Sequence, residues 1–181
     1  MLIRPATVDD SPTLAAIYGH HVLYGSGTFE EAPPGIEEMT ARMAAVTRRR
    51  LPYLVAEIDG TAHGFAYAGP FRTRAAYRYT VEDSVYIAPG HQGQGIGKAL
   101  LTAVIAACEL LGLRQMVALI GDAANAGSVG VHRTCGFTHA GMLSGVGFKA
   151  GRWVDVVIMQ RPLNGGADVP PGPDSLDLAE I

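Results

Sequence analysis

Thr80-Val81-Glu82-Asp83-Ser84-Val85-Tyr86-Ile87, followed by Ala88-Pro89-Gly90-His91-Gln92-Gly93-Gln94-Gly95-Ile96-Gly97-Lys98, decides how this chain is read. The first eight residues read as the end of a strand over residues 78–87, stopped at Ala88-Pro89. Beyond the glycines, Leu100, Leu101, Val104, Ile105, Cys108 and Leu111 recur at helical spacing, and Gly112 is placed to cap the helix. A glycine-rich loop between a strand and a helix is a ready anion site. Its backbone N–H groups are free and the helix dipole favours negative charge.

Spacing separates the chemistries that use such a loop. A nucleoside-triphosphate loop needs GxxxxGK followed by Ser or Thr; here Gly97-Lys98 is followed by Ala99, and the earlier glycine is replaced by Gln92. A dinucleotide loop needs GxGxxG; from Gly93 and Gly95 the last position is Lys98, and no βαβ unit opens the chain.

Outward from the loop, residues 2–4 read as a first strand, and Thr7 with Asp10 has the spacing of a capping box. Leu14, Ile17, Tyr18, His21 and Val22 mark an amphipathic helix, and a second helix is expected over residues 36–49. On that helix face the sequence reads His21 as a core residue. Residues 53–58 and 63–68 are strands joined by the hairpin dipeptide Asp59-Gly60. Residues 116–120 form an uninterrupted apolar run, as in a strand buried on both faces. Asn125 is an N-cap candidate for a helix ending near Gly136, and two strands, 138–146 and 153–160, close the domain. The expected fold class is α+β, a mixed α/β sheet flanked by helices. Residues 164–181, rich in Pro, Gly and acids, are expected to be a mobile tail.

The 181 residues fit one domain, with 48% hydrophobic and 17% charged residues. A net charge of −3 gives no basic footprint for nucleic acid, and Arg48-Arg49-Arg50 reads as a solvated helix end. No apolar run spans a bilayer and the N-terminus lacks a signal-peptide pattern, so a cytoplasmic protein is expected. Cys108 and Cys135 form no metal-binding or disulfide pattern, and no metal is expected.

Gln92-Gly93-Gln94-Gly95-Ile96-Gly97 resembles the Q/R-x-x-G-x-G/A signature by which GNAT acetyltransferases hold the pyrophosphate of acetyl-CoA. Thr80-Val81-Glu82-Asp83-Ser84-Val85-Tyr86-Ile87 resembles the T-V-E-x-S-V-Y-V strand of the phosphinothricin and methionine sulfone/sulfoximine acetyltransferase branch. Residues 68–77 are similar to the loop before that strand. Residues 128–137 resemble the S-x-x-L-H-x-x-x-G-F/Y segment, and residues 147–155 resemble the G-Y/F-K-x-G-x-W-x-D hairpin. The likeness covers about residues 1–163. Val131 and Val154 depart from the common residues, and the tail lies outside.

The resemblance implies a GNAT fold, with a central, twisted, mostly antiparallel sheet. It also implies an N-acetyltransferase using acetyl-CoA on the amine of a small amino-acid-like acceptor. Backbone groups of Val85, Tyr86 and Ile87 would pair with the pantetheine arm, and Gly93 to Lys98 would hold the pyrophosphate. Gln92 and Ser128 join this cofactor set, and Asn125 would contact the cofactor near its reactive end. A homodimer is expected by resemblance alone.

A carboxylate within a largely apolar strand is costly unless paired or functional. By spacing, Glu82 is either a general base or a solvent-facing residue of an edge strand; the resemblance places the catalytic glutamate here. His132 is either a second catalytic group, protonating the leaving thiolate, or a helix-face histidine satisfied by a carbonyl. Arg72, Arg74 and Tyr77 are acceptor candidates, since arginine forks suit carboxylate or phosphinate oxygens; exposed loop arginines are the competing reading. Phe29 matches a phenylalanine of the acceptor pocket. The alternatives are acetylation of a polyamine or a protein N-terminus, or an acyl-CoA sensor without turnover.

Overall fold

In the computed structural model, which describes residues 1–179, Asp59 and Gly60 both hold positive φ, 51° and 77°. That is the geometry of a two-residue hairpin turn whose twist matches paired strands. It joins β2 (Tyr53–Ile58) to β3 (Thr61–Pro70). β4 (Thr80–Ile87) pairs antiparallel with β3, and β1 (Leu2–Pro5) with the outer side of β2. α3 (Ile96–Leu110) then crosses over, so β5 (Gln115–Gly121) runs parallel to β4. β7 (Arg152–Pro162) lies antiparallel to β5, and β6 (Thr138–Lys149) is outermost, giving the order β1-β2-β3-β4-β5-β7-β6. This is the expected mixed, mostly antiparallel sheet.

Helices cover both faces. α1 (Ser11–Tyr24) and α2 (Ile36–Arg48) bury Leu14, Ile17, Val22, Met39 and Met43 against Val55 and Phe65. The stripe Leu100, Leu101, Val104, Ile105 and Cys108 of α3 packs on the opposite face against Ala66, Ala68, Val81 and Met116. α4 (Ala126–Thr134) follows β5, with the Asn125 side chain accepting from the Ser128 N–H at 3.1 Å as its cap. The capping box is present: the Thr7 N–H donates to Asp10 Oδ2 at 2.7 Å, and Arg4 grips both Asp10 oxygens at 2.8 Å. At the far end of α3, Gly112 (φ 73°) lets the Leu113 N–H return to the Cys108 carbonyl, closing the helix as expected.

The feature that builds the site is a parting of two strands. β4 and β5 pair only at Thr80↔Gln115, Val81↔Met116 and Glu82↔Val117. Beyond Glu82, β4 stays on β3 as far as Ile87, and β5 stays on β7 as far as Gly121. The two strands therefore diverge into a wedge.

The segment after β7 corrects the expectation of a mobile tail. Leu176 and Leu178 are buried in the α3-side core, and their N–H groups bond the carbonyls of Leu111 and Arg78. Arg114 holds the Asn164 and Pro170 carbonyls, and Arg78 pairs with Asp177 at 3.2 Å. Pro/Gly composition reports weak intrinsic structure. Two leucines spaced to face the same way outweigh it by burial. Glu180 and Ile181, also part of that expectation, lie outside the described residues.

Candidate active site

The wedge opens into a cleft of about 1220 Å³. Residues 82–87 line one wall and residues 118–122 the other. The start of α4 closes one side, and residues 25–29 form a roof. Glu82, His132, Phe29, Val85, Tyr86, Ile87, Asn125 and Ser128 all border it, as do Gln92, Gly93, Gly95, Ile96, Gly97 and Lys98.

The glycine loop has the geometry its sequence implied. Gly93 (φ 76°) and Gly95 (φ 82°) sit in the left-handed region that side chains disfavour. The first helical bond of α3 runs from the Ala99 N–H to the Gly95 carbonyl at 3.0 Å. The N–H groups of Ile96, Gly97 and Lys98 are thus left to an outside acceptor, at the positive end of a fifteen-residue helix. Gln94 departs from its expected role: it does not border the cleft, and its amide reaches the Gly90 carbonyl at 3.3 Å, bracing the loop.

Glu82 stands where the strands part. Burial pushes its carboxyl above the ordinary glutamate range, neighbouring Asp83 adds to the rise, and Arg72 opposes it. Asp83 is buried on the other face of β4, with Oδ2 2.9 Å from His132 Nε2. The other imidazole nitrogen, Nδ1, lies 2.8 Å from the Ser128 carbonyl. A carbonyl only accepts, so Nδ1 carries a proton, and the Asp83 side chain favours a second proton on Nε2. Burial alone would lower its pKa; the Asp83 hydrogen bond and charge, with the Ser128 carbonyl, outweigh that and raise it. Both ring nitrogens are engaged, so the expected role as proton donor to a leaving thiolate has no free proton here. The geometry makes His132 a link that holds α4 to β4.

The arginine loop also departs from expectation. Arg72 stacks on Phe71, 4.7 Å from the ring centroid, and Tyr77 packs edge-on to the same ring. Arg72 and Arg74 line a separate groove of about 210 Å³ with Arg49, Arg78 and Leu178; neither they nor Tyr77 borders the main cleft. Arg72 reaches the site only through its charge, acting on Glu82. His21 moves the other way: its Nε2 donates to the Ile87 carbonyl at 2.8 Å and it borders the cleft. Burial holds it below the ordinary histidine value, so it stays neutral with Nδ1 unprotonated.

Comparison with known proteins agrees with this geometry. A family model described as "Acetyltransferase (GNAT) family" matches residues 16–137. This chain belongs to the GNAT acetyltransferases. A phosphinothricin N-acetyltransferase from Alcaligenes faecalis is 55% identical over 164 residues, 91% of this chain and 83% of that one. An L-methionine sulfoximine/L-methionine sulfone acetyltransferase from Salmonella typhimurium is 37% identical, over 91% of this chain and 95% of that one. The crystal structure of a GNAT phosphinothricin acetyltransferase from Sinorhizobium meliloti in complex with acetyl-CoA superposes with a TM-score of 0.92 at 43% identity, covering 97% of each chain.

As a GNAT enzyme the protein is an N-acetyltransferase that uses acetyl-CoA, and the cleft fits that cosubstrate. The free edge of residues 83–87 offers backbone groups to an extended amide-bearing arm. The glycine loop offers N–H groups to a pyrophosphate at one end, and Glu82 stands at the other. Among the described residues no helix is long and apolar enough to cross a membrane, and no group of three or more His, Cys, Asp or Glu could hold a metal ion.

Three positioning groups escaped the sequence reading: Asp83, Thr28 and Lys149. For Asp83 the signal was present, a second acid on the core face of an apolar strand, which demands a partner. Its partner lies 49 residues away. The Thr28 carbonyl accepts from Lys149 Nζ at 2.6 Å across 121 residues, and no local pattern marks such a pair.

Proposed function

We propose that this acetyltransferase acts on the α-amine of an amino-acid analogue: phosphinothricin, methionine sulfone or methionine sulfoximine. The observation that carries this reading is Glu82, half-buried where β4 and β5 part, its carboxyl pKa raised above the ordinary glutamate value by burial. The names of the relatives supply the acceptor class. Acetyl-CoA, once bound, supplies an acetyl thioester whose C–S bond is exchanged for the new amide C–N bond, CoA leaving as the thiol with the second proton lost by the acceptor nitrogen. Residues 85–87, the glycine loop, Lys98, Asn125 and Ser128 bind and orient it. Glu82 takes the proton of the acceptor ammonium, directly or through one water, and so frees the nitrogen lone pair. The start of α4 presents the positive end of a helix to negative charge developing in the cleft. Phe29 and residues 25–28 cover the acceptor end and exclude water. Arg72, with Arg74 beside it, favours an anionic acceptor through its field rather than by contact.

The reading includes a cytoplasmic homodimer. Both cysteines, Cys108 and Cys135, are free thiols, the state that a reducing compartment preserves. The outer hairpin exposes the apolar side chains of Met142, Phe148 and Trp153 away from the cleft, the last 67% exposed. Acetylation removes the positive charge of the acceptor amine, which would confer resistance to toxic analogues. A thiol-release assay tests the reading, with acetyl-CoA and the three analogues beside spermidine and an alanine-terminated peptide. Preferential turnover of an analogue supports it; preference for the polyamine or peptide overturns the acceptor assignment.

A further inference from the structure

Residues 25–29, the roof of the acceptor end, are seated at three points on chain distant in sequence. A Cβ on Gly121 would lie 2.2 Å from the Ser26 carbonyl oxygen, so only glycine at the end of β5 lets that backbone rest there. A Cβ on Gly147 would lie 2.4 Å from the Phe29 ring, so β6 leaves a bare patch for the ring to lie on. Between them, Lys149 Nζ, at the last position of β6, donates to the Thr28 carbonyl at 2.6 Å.

Lys149 is unusual as a structural lysine. It is 7% exposed, and among the described residues its ammonium makes one hydrogen bond and no ion pair. Burial pulls its pKa below the ordinary lysine value, with Glu31 and Glu30 opposing. A buried ammonium facing one carbonyl is costly compared with the apolar side chain that would fill the same volume. What it gains is a directional tie between two parts of the fold that share no strand pairing. On the far side, the Thr28 hydroxyl lies 3.0 Å from the Tyr18 hydroxyl, which donates to Glu30 Oε1 at 2.8 Å, and Arg42 holds Glu30 at 2.7 Å. Thr28 is therefore fixed through its side chain to α1 and α2, and through its carbonyl to the β6–β7 hairpin.

We propose that Lys149 is a positioning residue that clamps residues 25–29 over the acceptor, and that it sets acceptor affinity rather than the acetyl-transfer step or acetyl-CoA affinity. This rests on reading the Glu82 end of the cleft, beneath Phe29, as the acceptor site. Removing the ammonium leaves the Thr28 carbonyl without its donor and releases the roof from the hairpin. The hydrogen bond lost runs to the roof and not to the glycine loop.

The test compares wild type with Lys149→Met and Lys149→Arg in the full chain. In Lys149→Met the acceptor KM rises about tenfold or more, while kcat and the acetyl-CoA KM stay within about threefold. Hydrogen exchange at the amides of residues 26–31 accelerates about tenfold. Lys149→Arg, which keeps a charged donor, restores most of both effects. If Lys149→Met fails to fold, Gly147→Ala loosens the same roof by displacing the Phe29 ring and shows the same split. An unchanged acceptor KM in a folded variant overturns the clamp. So does a raised acceptor KM with unchanged exchange, which would mean that Lys149 touches the acceptor itself. If wild type acetylates none of the analogues, the acceptor reading fails, and the exchange measurement still decides the clamp.

Discussion

Asp83 and His132 form a buried ion pair, 2.9 Å from Oδ2 to Nε2, directly behind the residue at which β4 and β5 stop pairing. It joins the separated half of β4 to α4 across the back of the cleft. Removing one partner strands the other charge in the interior, so Asp83→Asn should destabilise the protein by about 3–5 kcal/mol. The His132 pKa is raised above the unfolded value of 6.5. Its contribution is therefore complete below 6.5 and is lost as pH rises through the raised folded value. Urea unfolding at about pH 6, 7.5 and 9 should show this alkaline loss in wild type and not in Asp83→Asn. A parallel pH dependence in both would refute the pair as its source.

Glu82→Gln should lower kcat by at least about 100-fold with little change in acetyl-CoA affinity. A loss of only a few-fold removes Glu82 as the base.

The same carboxylate must be ionised to act, and burial with Asp83 beside it raises its pKa. The acid limb of kcat/KM should therefore lie above the ordinary glutamate value of 4.5, with activity rising as pH increases through it. Arg72 opposes that rise, so Arg72→Gln should move the limb to higher pH. A limb that stays in place would show that the Arg72 charge does not reach Glu82.

Gly95 holds φ 82° at the start of α3. Gly95→Ala imposes about 1–2 kcal/mol of backbone strain where the loop must present its N–H groups. The acetyl-CoA Kd, measured by calorimetry, should rise about tenfold, with acceptor selectivity unchanged.

Leu176 and Leu178 anchor the chain beyond β7 in the α3-side core. Leu176→Ala should cost about 2–4 kcal/mol and lower Tm accordingly. An unchanged Tm would restore the view of residues 164–179 as a free tail.

Much of this was legible in local sequence. The hairpin at Asp59-Gly60, the capping box at Thr7 and Asp10 and the stripe of α3 each depend on residues a few positions apart. So does the glycine loop, because the left-handed φ of Gly93 and Gly95 and the orphan N–H groups of a helix start are local properties. A strand carrying Glu82 directly ahead of that loop puts a carboxylate and an anion site within one short stretch of chain, which is enough to mark the cleft.

The tertiary structure decided what local pattern does not encode. It engaged His132 Nε2 with Asp83, 49 residues distant, and Nδ1 with the Ser128 carbonyl, and brought His21 to the Ile87 carbonyl from 66 residues away. It moved Arg72 and Arg74 into a groove of their own, folded the Pro/Gly-rich segment onto the core, and placed Lys149 on Thr28. Sequence periodicity reports which face of an element is apolar. Which polar atom meets which depends on where β4 leaves β5 and on what packs behind the gap, and only the folded chain fixes that.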